Sequence, residues 1–425
     1  MTDVPVQSGR PSRLRNFFKL LGPGLITGAS DDDPSGIATY AQAGAQYGLG
    51  LSWTLLFTYP LMSVTQEISA RIGRTTGRGL AGNMLRHTPR WLLYLVVILL
   101  IFANVINIAA DLSAIGAAIQ LVVPGPAVLF VVPVAAASLA AQILIGYERY
   151  ARILKWLTLS LLAYVAVVLV VGVPWLEVGK SLIFPQHLGA DQITMIVAIF
   201  GTTISPYLFF WQAEEEVEEQ VSGGERPLRE SPAKAEPEFQ RIRLDTYLGM
   251  GLSNIVALFI LLTAAATLHA NGVTNIGSAA EAAQALRPIA GDFAFLVFAL
   301  GIVGTGLLAI PVLAGAAAYA LGEARRWPVG LGKPWHRAKR FYGALAVAMV
   351  LATILGTVVP IDPMKALVWS AVINGVLAAP VMAIMLYLGS RRSVMGRFVL
   401  SLPLRVVGWL ATTVMMLAAV LMLML

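Results

Sequence analysis

The residues best suited to chemistry stand together in SDDDPSGIATY, residues 30 to 40, where three consecutive carboxylates, a proline and a glycine interrupt an otherwise apolar run. An aspartate at the centre of a bilayer costs about 2.5–3.5 kcal/mol on insertion scales, so such a residue faces a polar cavity and acts on something there. Pro34 removes a backbone donor and Gly36 weakens helical continuity, so the chain can unwind at this point and expose carbonyls. A membrane tolerates that only beside a cavity. Asp33 adjoins the break directly, whereas Asp31 and Asp32 either line a vestibule or bond to backbone amides. A second interruption lies in IFGTTISPYLFFWQ, where Gly201, Thr202, Thr203, Ser205 and Pro206 break another apolar run at similar depth.

The elements that must carry these breaks are membrane spans. A composition of 57% hydrophobic and 12% charged residues, with mean hydropathy +0.75, lies far outside the soluble globular range and reads as an all-α polytopic membrane protein. The net charge of +7 sits in short connectors rather than on one surface, so it reports topology and gives no reason to expect a nucleic-acid partner. With no cysteine, neither disulfides nor thiolate metal ligands are available. The basic N-terminal segment, residues 1–16, leads into an apolar run without a small-residue cleavage site, so no signal peptide is expected.

Eleven apolar runs are long enough to cross a bilayer of about 30 Å: 17–48 and 190–212, both interrupted, and 50–72, 92–121, 127–146, 152–174, 243–270, 290–321, 341–360, 364–388 and 403–425. Alternate connectors are rich in Lys and Arg, among them Arg71, Arg74 and Arg78, then Arg149, Arg152 and Lys155, then Arg325, Arg326 and Lys333. The intervening connectors are nearly bare. The positive-inside rule therefore places the N-terminus in the cytoplasm and, after eleven crossings, the C-terminus outside, in a bacterial inner (plasma) membrane. The polar stretch 213–242 mixes Gly, Pro, Ser and both charge signs and reads as a mobile cytoplasmic linker whose acidic start, Glu214 to Glu219, is a solvated helix end.

The two breaks lie five spans apart and hence in opposite orientation. Broken helices at matching positions are the sequence pointer to an inverted-repeat transporter with its site at the midplane. Residues 17–174 (spans 1–5) and 190–388 (spans 6–10) form the expected repeats, with 403–425 appended.

LGPGLITGASDDDPSGIATYAQAGAQYG and SVTQEISARIGRTTGRGLA together resemble the first two spans of the natural resistance-associated macrophage protein (Nramp) divalent-metal transporters. NIAADLSAIGAAIQL, GTTISPYLFFWQ and ALVWSAVINGVLAAP resemble the third, sixth and tenth. The resemblance implies a LeuT-type fold, two inverted five-helix repeats plus an eleventh helix with helices 1 and 6 broken, working by alternating access. It also implies that Asp33 is the metal-binding aspartate. Where the family usually reads Asp-Pro-Gly-Asn, this chain has Asp33, Pro34, Ser35 and Gly36; where it reads Met-Pro-His, this chain has Ser205, Pro206 and Tyr207. A thioether favours soft transition metals, while carboxylate, hydroxyl, carbonyl and water suit Mg²⁺ and Mn²⁺. Loss of the methionine and the asparagine also enlarges the site, which suits an ion that gives up water reluctantly.

The pattern is therefore similar to the Nramp-related magnesium transporter branch. Asp33 is the expected charged ligand, Ser30 and Thr202 supply carbonyls, Ser205 a hydroxyl and Gly36 room. Thr203, Asn374, Tyr207 and Asp111 stand behind these ligands, Asn374 equally readable as an interhelical hydrogen bond. Tyr207 and Ala114 replace the family's proton-route histidine and glutamate, so proton coupling is expected to be weak or absent. His87, His187, His269 and His336 fall at span ends or connectors and are read as surface residues. The metal is cargo rather than cofactor, and no cofactor is expected; beyond the ion, the expected partner is membrane lipid. The rival readings are a proton-coupled Mn²⁺ or Fe²⁺ transporter of ordinary Nramp type, an amino-acid carrier, and an intramembrane Mg²⁺-dependent prenyltransferase. The three aspartates disfavour a carboxylate substrate, and the enzyme needs a second acid-rich motif that the other spans do not offer.

Overall fold

The structure is a computed structural model that describes residues 23–145, 159, 161–185, 189–359 and 362–424. The N-terminal segment, the connector basic residues Arg149, Arg152 and Lys155, the start of the fifth span and His187 lie outside the described residues.

Each predicted span has a helical counterpart. The first run forms α1 (Pro23–Asp31) and α2 (Pro34–Tyr47), followed by α3 (Trp53–Thr76), a short α4 (Leu80–His87), α5 (Arg90–Gln120), α6 (Val128–Leu144) and α7 (Leu162–Val170). After the connector helix α8 (Trp175–Ile183), the sixth run forms α9 (Ala190–Thr203) and α10 (Pro206–Ser222). It is followed by α11 (Ala235–Thr267), short α12 (Ala279–Gln284) and α13 (Arg287–Ala290), and α14 (Ala294–Ala324). The chain ends with α15 (Lys339–Val358), α16 (Pro363–Gly389), a turn of helix α17 (Arg392–Met395) and α18 (Leu402–Met424). Among the described residues, seven helical stretches are long and apolar enough to cross a bilayer unaided. α3 is not among them. It carries Thr65, Gln66, Glu67 and Ser69 inside the protein, where neighbouring helices rather than lipid surround them.

The two breaks are physically alike. Only Asp32 and Asp33 separate α1 from α2, and only Ile204 and Ser205 separate α9 from α10. In both cases a proline opens the second half-helix at its first position, where its missing N–H would have had no partner anyway. Asp33 also caps α2, its carboxylate accepting from the Gly36 N–H.

Around the breaks, α11 packs along α1, α2 and α3, α10 lies between α3 and α14, α9 runs against α16, and α5 contacts α14, α15 and α16. Trp91, Ile98, Phe102, Leu129, Leu351 and Trp409 are exposed on the outside, while Asp31, Asp33, Asn107 and Asp111 are buried. This inversion of polarity is what a lipid-solvated chain with a polar centre requires.

The stretch 213–242 departs from its expected character. It is not a mobile linker: α10 continues to Ser222, α11 begins at Ala235, and Glu214, Glu216 and Gln220 are buried. The acidic start is pinned by partners from distant sequence. Arg241 pairs with Glu216 at 2.6 Å and with Glu219 at 3.1 Å, and Arg74 pairs with Glu238 at 2.8 Å and with Glu225. The hydrogen bond from Lys234 holds the Glu225 carboxyl below its ordinary range. On the opposite face of α10, Glu218 accepts from the Tyr319 hydroxyl and from the Leu331 and Gly332 N–H groups. Of the described histidines, His269 bonds through its ring to the Ala45 carbonyl at 2.8 Å, so it anchors a turn. Burial and the guanidiniums of Arg229, Arg86, Arg78 and Arg391 hold the His87 imidazole below its ordinary value.

Candidate metal site

Asp33 is 1% exposed, and each of its carboxylate oxygens has two donors. Oδ1 accepts from the Ser35 hydroxyl at 2.6 Å and the Gly36 N–H at 2.8 Å. Oδ2 accepts from the Asn107 side-chain amide at 3.2 Å and the Tyr207 hydroxyl at 3.4 Å. Four donors from α2, α5 and α10 thus orient one anion at the gap between half-helices. Hydrogen bonds to an ionised acceptor are roughly twice as strong as neutral ones. An isolated buried charge is nevertheless costly until an opposite charge arrives, which makes the carboxylate a natural attractor for a cation.

The second break closes over the same point. A Cβ placed on Gly36 would lie 3.0 Å from Thr202 Oγ1 and 3.4 Å from the Asp31 carbonyl oxygen, so the glycine lets the half-helices α2 and α9 approach beside the breaks. On the far side, a Cβ on Gly201 would lie 1.9 Å from the Ala371 carbonyl oxygen, which means that α9 meets α16 backbone to backbone. The Ser205 hydroxyl donates to the Gly201 carbonyl at 2.7 Å and to the Thr202 carbonyl at 3.0 Å. Its oxygen lone pairs remain able to accept or to coordinate. Ser30 is buried in the last turn of α1.

Of the predicted residues, Asp33, Gly36, Thr202 and Tyr207 are thus drawn together, Tyr207 in direct contact with the carboxylate rather than one layer behind it. Thr203 is not: its hydroxyl bonds back to the Ile199 carbonyl at 2.9 Å within its own helix. Asp111 and Asn374 join through a residue that sequence reasoning missed. The Asn107 amide donates to Asp111 Oδ2 at 3.1 Å as well as to Asp33, and its own Oδ1 accepts from the Asn374 amide at 3.0 Å. Asp111 Oδ1 and Asn374 Oδ1 are buried without a partner. The signal for Asn107 was present in NIAADLSAIG, an amide one helical turn before Asp111 on the same face of an apolar span.

The remaining two aspartates turn to α11. The Ser253 hydroxyl lies 2.7 Å from Asp31 Oδ2 and 3.1 Å from Asp32 Oδ1, so both carboxylates meet a helix side chain instead of a vestibule or backbone amides. On the α10 side, Thr27 donates to Gln212 Oε1 at 2.5 Å, tying α1 to α10 one turn beyond Tyr207. Among the described residues no group of three or more His, Asp and Glu side chains is arranged around one point to hold an ion. At the breaks the Asp33 carboxylate is held by two hydroxyls, a backbone N–H and a side-chain amide.

Known proteins resemble this chain in sequence and in architecture. The profile described as "Natural resistance-associated macrophage protein-like" matches residues 24–425. The chain is 27% identical over 421 residues to the divalent metal cation transporter MntH of Klebsiella pneumoniae (strain 342), covering 97% of this chain and 96% of that protein. Among solved structures it resembles the Eremococcus coleocola manganese transporter in complex with an aromatic bis-isothiourea substituted compound. The TM-score is 0.74 and the identity 17%, over 99% of this chain and 88% of that one. It also resembles the nucleobase-cation-symport-1 family transporter MHP1 in a closed conformation, with a TM-score of 0.55 and 16% identity over 95% and 90% of the two chains. With a family match across all but the first residues and a common fold with half-helices at the first and sixth spans, the chain belongs to the natural resistance-associated macrophage protein-like family and has its LeuT-type fold.

Proposed function

We propose that this protein carries divalent metal cations across the membrane by alternating access, with Mg²⁺ and Mn²⁺ as its ions and with little or no proton movement. Family membership and the MntH relative support the general activity, and both are transporters rather than enzymes. The observation that carries the finer reading is the composition of the seat: Asp33 is the charged group, and the groups bonded to it are the Ser35 and Tyr207 hydroxyls, the Gly36 N–H and the Asn107 amide. Ser205 stands where a thioether would be. In this reading Asp33 binds the ion directly, with Ser30 and Thr202 carbonyls and the Ser205 hydroxyl reached directly or through water. Mg²⁺ usually keeps several waters and uses one or two carboxylates, which fits such a seat.

Tyr207, with an unperturbed phenol near pKa 10, does not relay protons at neutral pH, and Ala114 has no titratable group. Flux is then driven by the ion gradient and membrane potential. Rocking of one repeat-derived bundle against the rest exposes the seat to each side in turn, with the N-terminus cytoplasmic and the C-terminus outside. The second reading is a proton-coupled Mn²⁺ or Fe²⁺ transporter, whose manganese part is favoured by the likeness to a manganese transporter. Uptake of Mg²⁺, Mn²⁺ and Ca²⁺ into proteoliposomes carrying an internal pH dye separates the two. Mg²⁺ flux without acidification is expected; Mn²⁺ flux with acidification and no Mg²⁺ flux establishes the second reading instead.

A further inference from the structure

One cavity bordered by the described residues lies apart from the breaks. It is a groove of about 1060 Å³ between the start of α5, the second half of α16 and the start of α18. Its walls are apolar, including Leu92, Ile384, Leu386 and Val406, and its polar groups gather at one end, where Arg391, Arg405, Ser390 and Thr88 stand. All three helix ends belong to connectors that the basic-residue pattern assigns to the cytoplasmic face, so the groove faces the inner leaflet with its charged end toward the headgroups.

The charged end is set for an anion. Among the described residues no carboxylate forms an ion pair with either arginine. Arg405 Nε is buried and has no hydrogen-bond partner. The Arg391 guanidinium lies 4.1 Å from the centre of the Tyr387 ring, which fixes its plane at the rim. Trp409 and Tyr387, both lining the groove, are exposed, and such amphipathic rings favour the headgroup level of a membrane. A buried guanidinium nitrogen lacking an acceptor costs free energy until one is supplied, and guanidinium forks match phosphate geometry.

We propose that this groove is a binding site for an anionic glycerophospholipid of the inner leaflet, its acyl chains lying along Leu92, Ile384 and Val406 and its phosphate received by Arg391 and Arg405. Basic pockets between transmembrane helices on the cytoplasmic side are a known setting for anionic headgroups, and the apolar length of this one commits it to a lipid rather than to a free anion. The site bears on transport through α16, the helix that also carries Asn374 and abuts Gly201. It does not depend on which divalent ion is carried.

The test uses the full chain in mild detergent and native mass spectrometry, with dioleoyl-phosphatidylglycerol, dioleoyl-phosphatidylcholine and inorganic phosphate as probes. Retention of phosphatidylglycerol about ten-fold above phosphatidylcholine is expected, unaffected by inorganic phosphate, and it should fall to the phosphatidylcholine level in the Arg391→Gln/Arg405→Gln double variant. Arg405→Lys, which keeps the charge, should hold most of the preference, and Ala383→Trp, which fills the apolar half, should reduce retention of both lipids. These two variants keep the question answerable if the double variant does not fold. Equal retention of the two lipids, an unchanged preference in the double variant, or displacement by inorganic phosphate overturns the proposal.

Discussion

At the residue scale, Asn107 holds the site together, because one amide group faces two carboxylates and its carbonyl faces Asn374. Removing it strands buried acceptors, each at a cost of about 1–3 kcal/mol. Asn107→Ala should therefore melt earlier in the absence of metal, and added Mn²⁺ should raise its melting temperature by more than in the wild type, since the ion then replaces the missing donor. An equal fall with no additional response to Mn²⁺ would reduce Asn107 to packing. Ser205 tests selectivity: Ser205→Met places a soft donor beside Pro206, and the order of competing ions should shift towards Cd²⁺. An unchanged order would show that position 205 does not read softness. Asp33 and Gly36 were legible in the sequence because charge and glycine beside a proline are conspicuous against an apolar run, Thr202 because it lies at the second break, and Tyr207 only through the resemblance to the family's Met-Pro-His. Asn107 was not, since a lone amide inside a helix looks the same whether it bonds a neighbouring helix or a ligand-bearing carboxylate.

Among elements, the breaks depend on how closely half-helices and whole helices approach. α9 meets α16 at Gly201 and Gly375, where any Cβ would overlap the opposite backbone. Gly201→Ala should thus force the helices apart and lower stability by about 1–3 kcal/mol, the usual cost of overpacking, with a matching loss of transport; a wild-type melting curve would contradict that contact. The spans themselves were readable from hydropathy and alternating charge. The stretch 213–242 was misread, for a specific reason. A run of glutamates followed by Gly, Pro and Arg has the same composition whether water or distant arginines compensate it, and here the partners of Glu225 and Glu216, Arg74 and Arg241, sit 151 and 25 residues away. Pairing over such separations is a property of the folded chain and leaves no local pattern.

For the whole molecule, polarity is inverted: lipid-facing leucines and tryptophans outside, carboxylates and amides within. Its orientation is testable with little background because the chain has no cysteine. In inside-sealed cells, a cysteine at Ser231 should react with an impermeant thiol reagent only after the membrane is opened, and one at Gly50 should react directly. The opposite pattern would reverse the proposed topology. The central claim is that a divalent ion crosses by way of one carboxylate held at the meeting of two broken helices. The most direct measurement is Mn²⁺ and Mg²⁺ flux into proteoliposomes containing Asp33→Asn, which keeps the side chain's size and removes its charge. Flux of both ions at the level of protein-free liposomes is the expected result; flux at the wild-type rate would place the ion's path elsewhere.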